Sequence, residues 1–330
     1  MATATTIAFF ELKPWEKAYL RKKLKKHTLL FFDGPITDAN LSFAKKAGII
    51  SVFIYSQVSE AVLKKLPKLK VITTRSTGFD HIDLAACKKR GIIVGNVPFY
   101  GENTVAEHTF ALILSLSRNI HKSYVRTLQD DYSIEGLTGF DLKNKTIGII
   151  GGGHIGMHVA KIAKGFDMSV LVYDVQKNEL LAKALGFTYA SLEALLRASD
   201  IITLHLPLNK HTEHIINADN ITLLKKGAIL INTARGSLVD TDALYDALKK
   251  GRLGGAGLDV IEGEELIKEE GQLLHQEKDN IKDNIEVWRA VVRDHSIFKM
   301  DNVVFTPHNA FNSREALVRI LDATIENIEA

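Results

Sequence analysis

The chain has 330 residues, which is enough for two domains with separate hydrophobic cores, because a single core stops growing near about 250–300 residues. Its 42 basic and 39 acidic side chains leave a formal net charge of +3, which excludes the strong charge excess typical of nucleic-acid-binding or membrane-surface proteins. No apolar run in the sequence reaches the roughly 18 residues of a membrane span. We therefore expect no nucleic-acid or membrane partner.

The N-terminal residues and the cysteine content bear on the cellular location. Thr5 to Phe10 is a short apolar run that Glu11 follows at once, unlike the longer apolar core of a secretory signal. Cys87 is the single cysteine of the sequence and cannot form an internal disulfide, which suits a reducing compartment. We expect a cytoplasmic protein in which Cys87 is a small apolar helix residue without a reactive role.

Strand-like and helix-like segments alternate along the first hundred residues. The basic stretch from Arg21 to Lys26, interrupted only by Leu24, is typical of the C-terminal end of a first helix. Five apolar runs predict strands and three further stretches predict helices: Thr6–Phe10, Leu29–Phe32, Ser51–Tyr55, Val71–Arg75 and Ile92–Val94, with helices at Leu41–Ala47, Ala61–Leu66 and Leu84–Arg90. This alternation predicts an α/β domain whose parallel sheet carries helices on both faces.

A second alternating series follows a long helical pattern, Thr104–Arg118, for which Asn103 is a candidate N-cap. The strands predicted in it are Ile147–Ile150, Val170–Tyr173, Ile201–Leu204, Ala228–Ile231, Gly255–Leu258 and Val303–Phe305. The stretch from Asn309 to Ala330 predicts one amphipathic helix, too short to be a domain of its own.

The two series predict two doubly wound, Rossmann-like domains. We assign residues 1–100 to the first part of a flavodoxin-like substrate (catalytic) domain, residues 101–300 to an inserted nucleotide-binding Rossmann domain, and residues 301–330 to a return to the substrate domain. Two crossings between domains would allow a hinge, and open parallel sheets bind ligands at the carboxyl ends of their strands.

A glycine-rich turn, Gly151-Gly152-Gly153-His154-Ile155-Gly156, follows the predicted strand Ile147–Ile150. Gly151, Gly153 and Gly156 fit the dinucleotide-binding pattern, in which a pyrophosphate sits on the N-terminus of the next helix. Asp174, about twenty residues further on, is placed to accept hydrogen bonds from the ribose hydroxyls and so favours NAD over NADP. A turn without a ligand would need neither the glycine spacing nor an acidic residue at this distance, so we predict NAD as the cofactor.

Three ionisable residues each follow a predicted strand of the second series: Arg235, Glu264 and His308. They are the groups that hydride transfer to a keto acid requires. A guanidinium binds the substrate carboxylate, an imidazolium donates a proton to the developing alkoxide, and a carboxylate orients the imidazole. Taken singly, each has a plain structural explanation, and Glu262 is a near alternative to Glu264.

Several segments of the sequence resemble the NAD-dependent D-isomer specific 2-hydroxyacid dehydrogenases. The resemblance runs from about Lys70 to Phe311. The matching segments, besides the glycine turn, are Arg75 to Asp83, Asn96-Val97-Pro98, Ala106-Glu107-His108, Leu204-His205-Leu206-Pro207-Leu208, Asn232-Thr233-Ala234-Arg235-Gly236 and Thr306-Pro307-His308.

This resemblance implies roles for individual residues. Arg235 would bind the substrate, Glu264 would partner His308, and His308 would donate the proton. Backbone N–H groups around Thr77 and Gly78 would hold the substrate carboxylate. The cofactor would be met, besides the glycine turn, by His154, Ile155, Asp174, Leu206, Pro207, Thr212, Thr233, Ala234, Arg235 and Asp259. The resemblance also implies a homodimer formed by Thr104–Arg118 and its neighbours, while no cluster of residues has the ligand spacing of a zinc site.

Within this family the sequence is most similar to D-lactate dehydrogenases. Tyr55, Tyr100 and Phe311 stand in segments that resemble the substrate pocket there, so we expect reduction of pyruvate to D-lactate by NADH. Two alternatives stay open: a bulkier 2-keto acid as substrate, and an NADH-sensing binding protein like the family's corepressors. The charged stretch Glu265 to Met300 is longer than in most of the family; it has partial helical periodicity and would pack on the surface or cover the active site.

Overall fold

The computed structural model describes residues 4–263 and 285–330, with side chains in the second range from residue 289 onward. The chain divides into two compact units. The first comprises Met1–Tyr100 and Asn312–Ala330, and the second comprises Gly101–Phe311. The chain therefore leaves the first unit once and returns to it.

The described residues of the first unit form a five-stranded parallel sheet in the order β2-β1-β3-β4-β5. Its strands are β1 (Thr6–Phe9), β2 (Thr28–Phe31), β3 (Ile49–Val52), β4 (Val71–Thr74) and β5 (Ile93–Gly95). Its helices are α1 (Pro14–Lys23), α2 (Asp38–Ala44), α3 (Glu60–Lys64), α4 (Leu84–Lys89) and the C-terminal α12 (Arg314–Glu329). This strand order is that of flavodoxin-like sheets, as predicted.

Helix α12 packs onto the first unit through its apolar face. Leu321 and Ile328 are buried in one cluster with Ile7, Phe9 and Leu20. The Tyr19 hydroxyl donates a hydrogen bond to Asp322 at 2.6 Å. Burial of this face holds the last helix on the sheet formed by the first hundred residues.

The described residues of the second unit form a seven-stranded parallel sheet in the order β8-β7-β6-β9-β10-β11-β12. Its strands are β6 (Thr146–Ile150), β7 (Ser169–Tyr173), β8 (Thr188–Tyr189), β9 (Ile201–Leu204), β10 (Ala228–Asn232), β11 (Leu253–Leu258) and β12 (Val303–Phe305). Its helices are α5 (Glu102–Ser117), α6 (Ile120–Thr127), α7 (His154–Gly165), α8 (Glu179–Leu185), α9 (Leu192–Ala198), α10 (Thr241–Lys249) and α11 (Ile285–Phe298). The order reverses between β6 and β9, which is the switch point of a dinucleotide-binding sheet. The predicted fold class is confirmed.

Glycines on β11 let α5 lie close to the sheet. A Cβ on Gly257 would meet Cβ of Leu112 at 2.9 Å and Cδ1 of Ile231 at 2.8 Å. Leu112 and Ile231 belong to the buried cluster between α5, α7 and the sheet. The lack of a side chain at Gly257 lets α5 pack against the strand, and a Cβ at Gly255 would lie 2.7 Å from the Asn302 carbonyl oxygen.

Some predicted boundaries differ from the structure. Strand β3 is Ile49–Val52 and not Ser51–Tyr55, because the four buried residues end at Val52 and Tyr55 lies in the following loop. Residues 301–311 belong to the second unit, since β12 pairs with β11, so the predicted return at residue 301 comes eleven residues early. The last helix starts at Arg314, where Ser313 accepts the N-cap hydrogen bond from Ala316 at 3.1 Å.

Two further expectations concern particular residues. Cys87 is buried in the core of the first unit, and burial raises the pKa of its thiol. Most of the stretch from Glu265 to Met300 lies outside the described residues, apart from α11 and the residues after it. Among the helices that the structure describes, none combines the length and the apolar character needed to cross a membrane.

Candidate active site and cofactor site

The glycine-rich turn joins β6 to α7 through two backbone contacts that only glycine allows. Gly151 has a φ of +107°, and a Cβ there would lie 2.5 Å from the carbonyl oxygen of His205. A Cβ on Gly156 would lie 2.1 Å from the carbonyl oxygen of Gly151. Strand, turn and helix are therefore in direct backbone contact, as a dinucleotide-binding turn requires.

Gly153 differs from its neighbours because it faces open space. It is the N-cap of the twelve-residue helix α7, and a Cβ built on it meets no atom within 4 Å. The first turn of a helix directs backbone N–H groups and the positive end of the dipole outward. The open position thus lets a diphosphate approach the helix end closely, and the residues present fit NAD.

Asp174 follows β7 and is hydrogen-bonded to the glycine turn itself. Its Oδ2 accepts from the backbone N–H of Gly152 at 2.7 Å, and its Oδ1 accepts from the N–H of Gln176 at 2.8 Å. The side chain is half-buried. Each carboxylate oxygen keeps a lone pair for a ribose hydroxyl, and the same carboxylate orders the turn that would bind the diphosphate.

Most of the remaining residues predicted to meet the cofactor follow β9 and β10, while His154 and Ile155 begin α7 and Asp259 follows β11. The Thr212 hydroxyl donates to the carbonyl of Pro207 at 2.7 Å and thereby closes the turn after Leu206. The Thr233 hydroxyl is 3.0 Å from the Thr109 hydroxyl on α5, so this buried side chain joins sheet and helix. His154 is exposed, whereas Ile155, Leu206 and Ala234 are half-buried.

Arg235, Asp259 and His308 come to one edge of the sheet. The strand register aligns Asn232 of β10 with Leu258 of β11, and Leu258 with Phe305 of β12. Arg235 and His308 therefore each follow their strand by three residues, on either side of Asp259. This is the edge where doubly wound sheets bind their ligands.

The carboxylate of Asp259 holds the loop that carries His308. Oδ1 accepts from the Thr306 hydroxyl at 2.5 Å and from the N–H of Asn309 at 3.0 Å, and Oδ2 accepts from the N–H of Ala310 at 2.9 Å. The Asp259 carbonyl accepts from the N–H of His308 at 2.8 Å. Asp259 is 1% exposed, so these bonds form in a site shielded from water.

His308 has an uncommon backbone conformation. Its φ is +52°, in the left-handed region that few residues other than glycine adopt. Such residues are found at functional sites where the surroundings hold them in place. Here Asp259 supplies that hold, since it is bonded to the residues on both sides of His308.

The Arg235 side chain is half-buried beside its own strand end. Its Nη1 donates to the carbonyl of Ala234 at 2.7 Å, while the Asn232 side chain donates to the carbonyl of Arg235 at 2.8 Å. Asn232 also links this segment to the neighbouring strand, because its carbonyl accepts from the N–H of Asp259 at 2.9 Å. These bonds fix the backbone of Arg235 and the Nη1 end of its guanidinium at the carboxyl end of β10.

Glu264, the predicted partner of His308, lies outside the described residues. Glu262, the near alternative, bonds elsewhere: its Oε1 is 2.7 Å from Nε2 of His214, and its Oε2 accepts from the Thr241 hydroxyl at 3.3 Å. Glu262 is therefore engaged away from His308, and the assignment of Glu264 stays a prediction.

Two histidines near the carboxyl ends of these strands, His108 and His205, belong to segments that resemble the family and have no role in the predicted chemistry. Nε2 of His108 lies 3.0 Å from the Thr306 hydroxyl and 3.5 Å from Oδ1 of Asp259, and burial lowers its pKa although the Asp259 charge opposes the shift. Burial lowers the pKa of His205 to about 3, so its ring is neutral; Nε2 lies 2.9 Å from the Thr203 hydroxyl. Both are structural neighbours of the site.

The first unit holds four other predicted substrate residues, Tyr55, Thr77, Gly78 and Tyr100, in loops that follow its strands, whereas Phe311 is the last residue of the second unit. Tyr55 is 52% exposed, and its N–H donates to Glu11 at 2.8 Å. The exposed Thr77 donates its hydroxyl to the Val97 carbonyl at 3.0 Å. The carbonyl of Gly78 accepts from the Ser76 hydroxyl, and that of Tyr100 accepts from Arg319.

The sequence pattern gave no sign of the polar network beneath these loops. Arg75, which is 2% exposed, donates to the Phe10 carbonyl at 2.6 Å and to the Ser51 hydroxyl at 3.0 Å, and burial lowers its pKa. The Glu11 carboxylate accepts from the backbone of the loop that bears Tyr55.

Across residues 4–263 and 285–330, no group of three or more His, Cys, Asp or Glu side chains has the arrangement of a metal site.

Comparison with known proteins identifies the family of the chain. Residues 110–310 match the family described as D-isomer specific 2-hydroxyacid dehydrogenase, NAD binding domain. The chain is 37% identical to a 2-hydroxyacid dehydrogenase homolog of Haemophilus influenzae and 36% identical to the D-lactate dehydrogenase of Escherichia coli; each match covers 98% of this chain and 95% of the relative.

Solved structures agree with the sequence comparison. The crystal structure of D-lactate dehydrogenase from Aquifex aeolicus, complexed with NAD and lactic acid, superposes with a TM-score of 0.85 at 39% identity, covering 98% of this chain and 94% of that one. The second unit, which contains the glycine turn, is thus the NAD-binding domain of an oxidoreductase. With a matching family domain over most of its second unit and relatives that span nearly its whole length, the chain belongs to the NAD-dependent D-isomer specific 2-hydroxyacid dehydrogenases.

Proposed function

We propose that the protein is a D-lactate dehydrogenase that reduces pyruvate with NADH and acts through Arg235 and His308, with Glu264 as the partner of His308. The observation that carries the proposal is the alignment of Arg235 and His308 on either side of Asp259 at the ends of β10, β11 and β12. Similarity to D-lactate dehydrogenases supports the choice of substrate.

The chemistry divides between the cofactor and the chain. NADH supplies the hydride. The guanidinium of Arg235 binds the carboxylate of the 2-keto acid and draws electron density from its carbonyl. The protonated ring of His308 donates a proton to the oxygen as negative charge develops there. In the reverse direction the neutral ring accepts the hydroxyl proton, so the two directions should show opposite pH dependence.

Glu264 orients the His308 ring in this proposal. The cofactor contacts are proposed at Gly151, Gly153, Gly156, Asp174 and the other residues that the resemblance implies. Substrate contacts at Tyr55, Thr77, Gly78, Tyr100 and Phe311 stay predictions that rest on the resemblance alone. The cytoplasmic location stays a prediction from the sequence.

We further propose that the protein is a homodimer. Helix α6 has no buried residue, and apolar side chains on it and just after it are exposed: Ile120, Tyr124, Val125, Leu128, Tyr132 and Ile134. An apolar surface of this kind is typical of a contact with a second copy. Sedimentation at micromolar concentration should give a mass near twice the 36.6 kDa of one chain, and Tyr124→Glu should reduce it to that of a monomer.

Steady-state oxidation of NADH tests the activity with pyruvate, phenylpyruvate, 2-ketoisocaproate, oxaloacetate and glyoxylate as substrates. We expect the highest kcat/KM with pyruvate, and a product that a stereospecific D-lactate enzyme consumes. A higher kcat/KM with a bulky keto acid would move the substrate while keeping the reaction. NADH binding without turnover of any keto acid would contradict the proposal and favour a sensor.

A further inference from the structure

His214 and Glu262 form an ion pair that has no role in the proposed reaction. Nε2 of His214 lies 2.7 Å from Oε1 of Glu262, and Oε2 of Glu262 accepts from the Thr241 hydroxyl at 3.3 Å. The two side chains are 40% and 30% exposed. The pair joins residues 48 positions apart in the sequence, so its meaning depends on what each partner is attached to.

His214 is attached to the segment that carries Arg235. Its backbone N–H donates to the carbonyl of Ser237 at 2.8 Å. Two residues later, the N–H of Ile216 donates to the Leu238 carbonyl at 3.1 Å, and the Ile216 carbonyl accepts from the N–H of Asp240 at 2.9 Å. The residues that follow Arg235 are therefore bonded to the segment from His214 to Ile216, which meets them in an isolated bridge between Ile216 and Val239.

Glu262 is attached to the end of β11, three residues after Asp259. Its backbone lies directly against the Arg235 segment, because a Cβ on Gly236 would be 2.1 Å from the Ile261 carbonyl carbon and 2.4 Å from the Glu262 nitrogen. The side-chain bond between His214 and Glu262 therefore joins two segments whose backbones are already in contact.

We propose that His214 and Glu262 are a positioning pair, which fixes the Arg235 segment against the end of β11 that anchors His308 through Asp259. The inference rests on the proposed function for its catalytic readout. The pair touches neither substrate nor cofactor in this account. It acts on the separation of Arg235 and His308, on which the rate of a positioned reaction depends strongly.

Charge strengthens the pair. Burial lowers the pKa of His214, but the hydrogen bond and the charge of Glu262, with further contributions from Asp240 and Glu213, outweigh burial and raise the pKa above its ordinary value. On the helix α11 side, Asp294 faces Glu262 and is itself paired with Arg293 at 3.0 Å. A raised histidine pKa means that the pair contributes fully below the unfolded pKa and loses its charge as pH rises through the folded value.

The test compares His214→Ala, His214→Gln and Glu262→Gln with His27→Ala. His27 is the matched control, since it forms a similar pair with Glu329 at 3.3 Å on the first unit. We expect His214→Ala to lower kcat about tenfold with the Kd for NADH changed less than twofold, because positioning is lost while the glycine turn is intact. His214→Gln keeps a donor without charge, so it should recover most of kcat. Unlike the wild type, it should not lose kcat as the pH rises through the pKa of His214 in the folded protein.

A double-mutant cycle completes the kinetic test. The loss in His214→Ala/Glu262→Gln should be no larger than in His214→Ala alone. Three results would overturn the positioning role. The first is a double variant whose loss of kcat is the product of the two single losses, and the second is a kcat of His214→Ala no lower than that of His27→Ala. The third is a loss of NADH affinity in His214→Ala as large as its loss of kcat.

Hydrogen–deuterium exchange separates this inference from the proposed reaction. His214→Ala should speed exchange at residues 235–239 and 259–263 with melting temperature nearly unchanged, and unchanged exchange there would overturn the pair's role. If the wild type reduces no 2-keto acid, the proposed function fails while the exchange measurement still decides the inference.

Discussion

Asp259 supports His308 from one strand away: its carbonyl oxygen accepts from the N–H of His308 at 2.8 Å, and its carboxylate accepts from the N–H groups of the two following residues. The buried carboxylate thus stabilises a loop whose central residue has a positive φ. Removal of the Asp259 charge should therefore affect mainly the loop that carries His308.

We expect Asp259→Asn to lower the free energy of unfolding by about 1–3 kcal/mol, because an amide nitrogen cannot accept from the buried N–H groups that face it. Displacement of His308 should lower kcat about 100-fold. Thermal melts and steady-state kinetics measure the two effects. Asp200→Asn is the matched control: Asp200 accepts from the N–H of Thr146 at 2.8 Å at the other end of β6, so this variant should lose stability while kcat is unchanged.

Arg235→Lys tests the planar fit of the guanidinium. Lysine keeps the charge but cannot donate two parallel hydrogen bonds to a carboxylate, so kcat/KM for the keto acid should fall about 10²–10³-fold. Arg197→Lys is the control, since Arg197 makes a two-pronged contact with Glu193 on an exposed helix face. Near-normal kcat/KM in Arg235→Lys would show that Arg235 is not the substrate-binding cation.

Glycines of one turn should respond in opposite ways. Gly153→Ala adds a methyl group to open space, at a φ of −72° that any residue adopts, so the melting temperature should not change. The same methyl group would lie where the diphosphate approaches the helix end, so the Kd for NADH should rise at least tenfold.

Gly156→Ala should give the reverse result. Its methyl group would overlap the Gly151 carbonyl, so the variant should lose about 1–3 kcal/mol of stability or fail to fold. NADH fluorescence titration and thermal melts decide both cases. Unchanged NADH affinity in Gly153→Ala would contradict the assignment of this turn to the cofactor.

The fold was predictable because its signals are local and periodic. Buried parallel strands such as β9 and β10 are continuous apolar runs, and the helices between them follow a 3.6-residue period. Helix α6 was not predicted, since none of its residues is buried and it has no apolar face toward the core. The end of β3 was misplaced because Phe53 and Tyr55 continue the apolar pattern after the strand has ended.

The candidate site was predictable only in part, for a related reason. The glycine turn and Asp174 lie within one strand–helix–strand unit, so their spacing is visible in the sequence. The bonds of Asp259 to Thr306 and Ala310 join residues 47 and 51 positions apart, and that of His214 to Glu262 spans 48. Contacts of this kind follow from strand order and leave no periodic trace, which is why the support of His308 could not be inferred.

Asp174→Asn should relax the preference for NADH over NADPH. The carboxylate repels a 2′-phosphate, and removal of a unit charge at about 4 Å changes the interaction by about 1–4 kcal/mol, so the ratio of kcat/KM values should fall at least about fivefold. Asparagine keeps an oxygen that can accept from Gly152, which preserves the turn. Asp167→Asn removes the same charge at an exposed position paired with Lys143 and should leave the ratio unchanged; an unchanged ratio in Asp174→Asn would refute its role.

Asp294 should make the protein less stable as the pH rises. Burial raises the pKa of this carboxyl to about 6, although Arg293 opposes the shift, so the folded state binds its proton more tightly than the unfolded chain does. The protonated Asp294 carboxyl therefore contributes fully to stability below its unfolded pKa near 4, and this contribution is lost as the pH rises through its folded pKa of about 6. A shift of about two pKa units corresponds to about 3 kcal/mol as an upper bound.

Asp294→Asn removes this titration while it keeps the shape of the side chain. Relative to the wild type, the variant should gain stability steadily between pH 4 and 7, by at most about 3 kcal/mol. Urea unfolding at half-unit pH intervals measures the difference. Asp246→Asn, on the exposed pair with Lys250, serves as control and should show no such trend. A difference between wild type and Asp294→Asn that is flat across this range would mean that the Arg293 guanidinium keeps the carboxylate charged despite its burial.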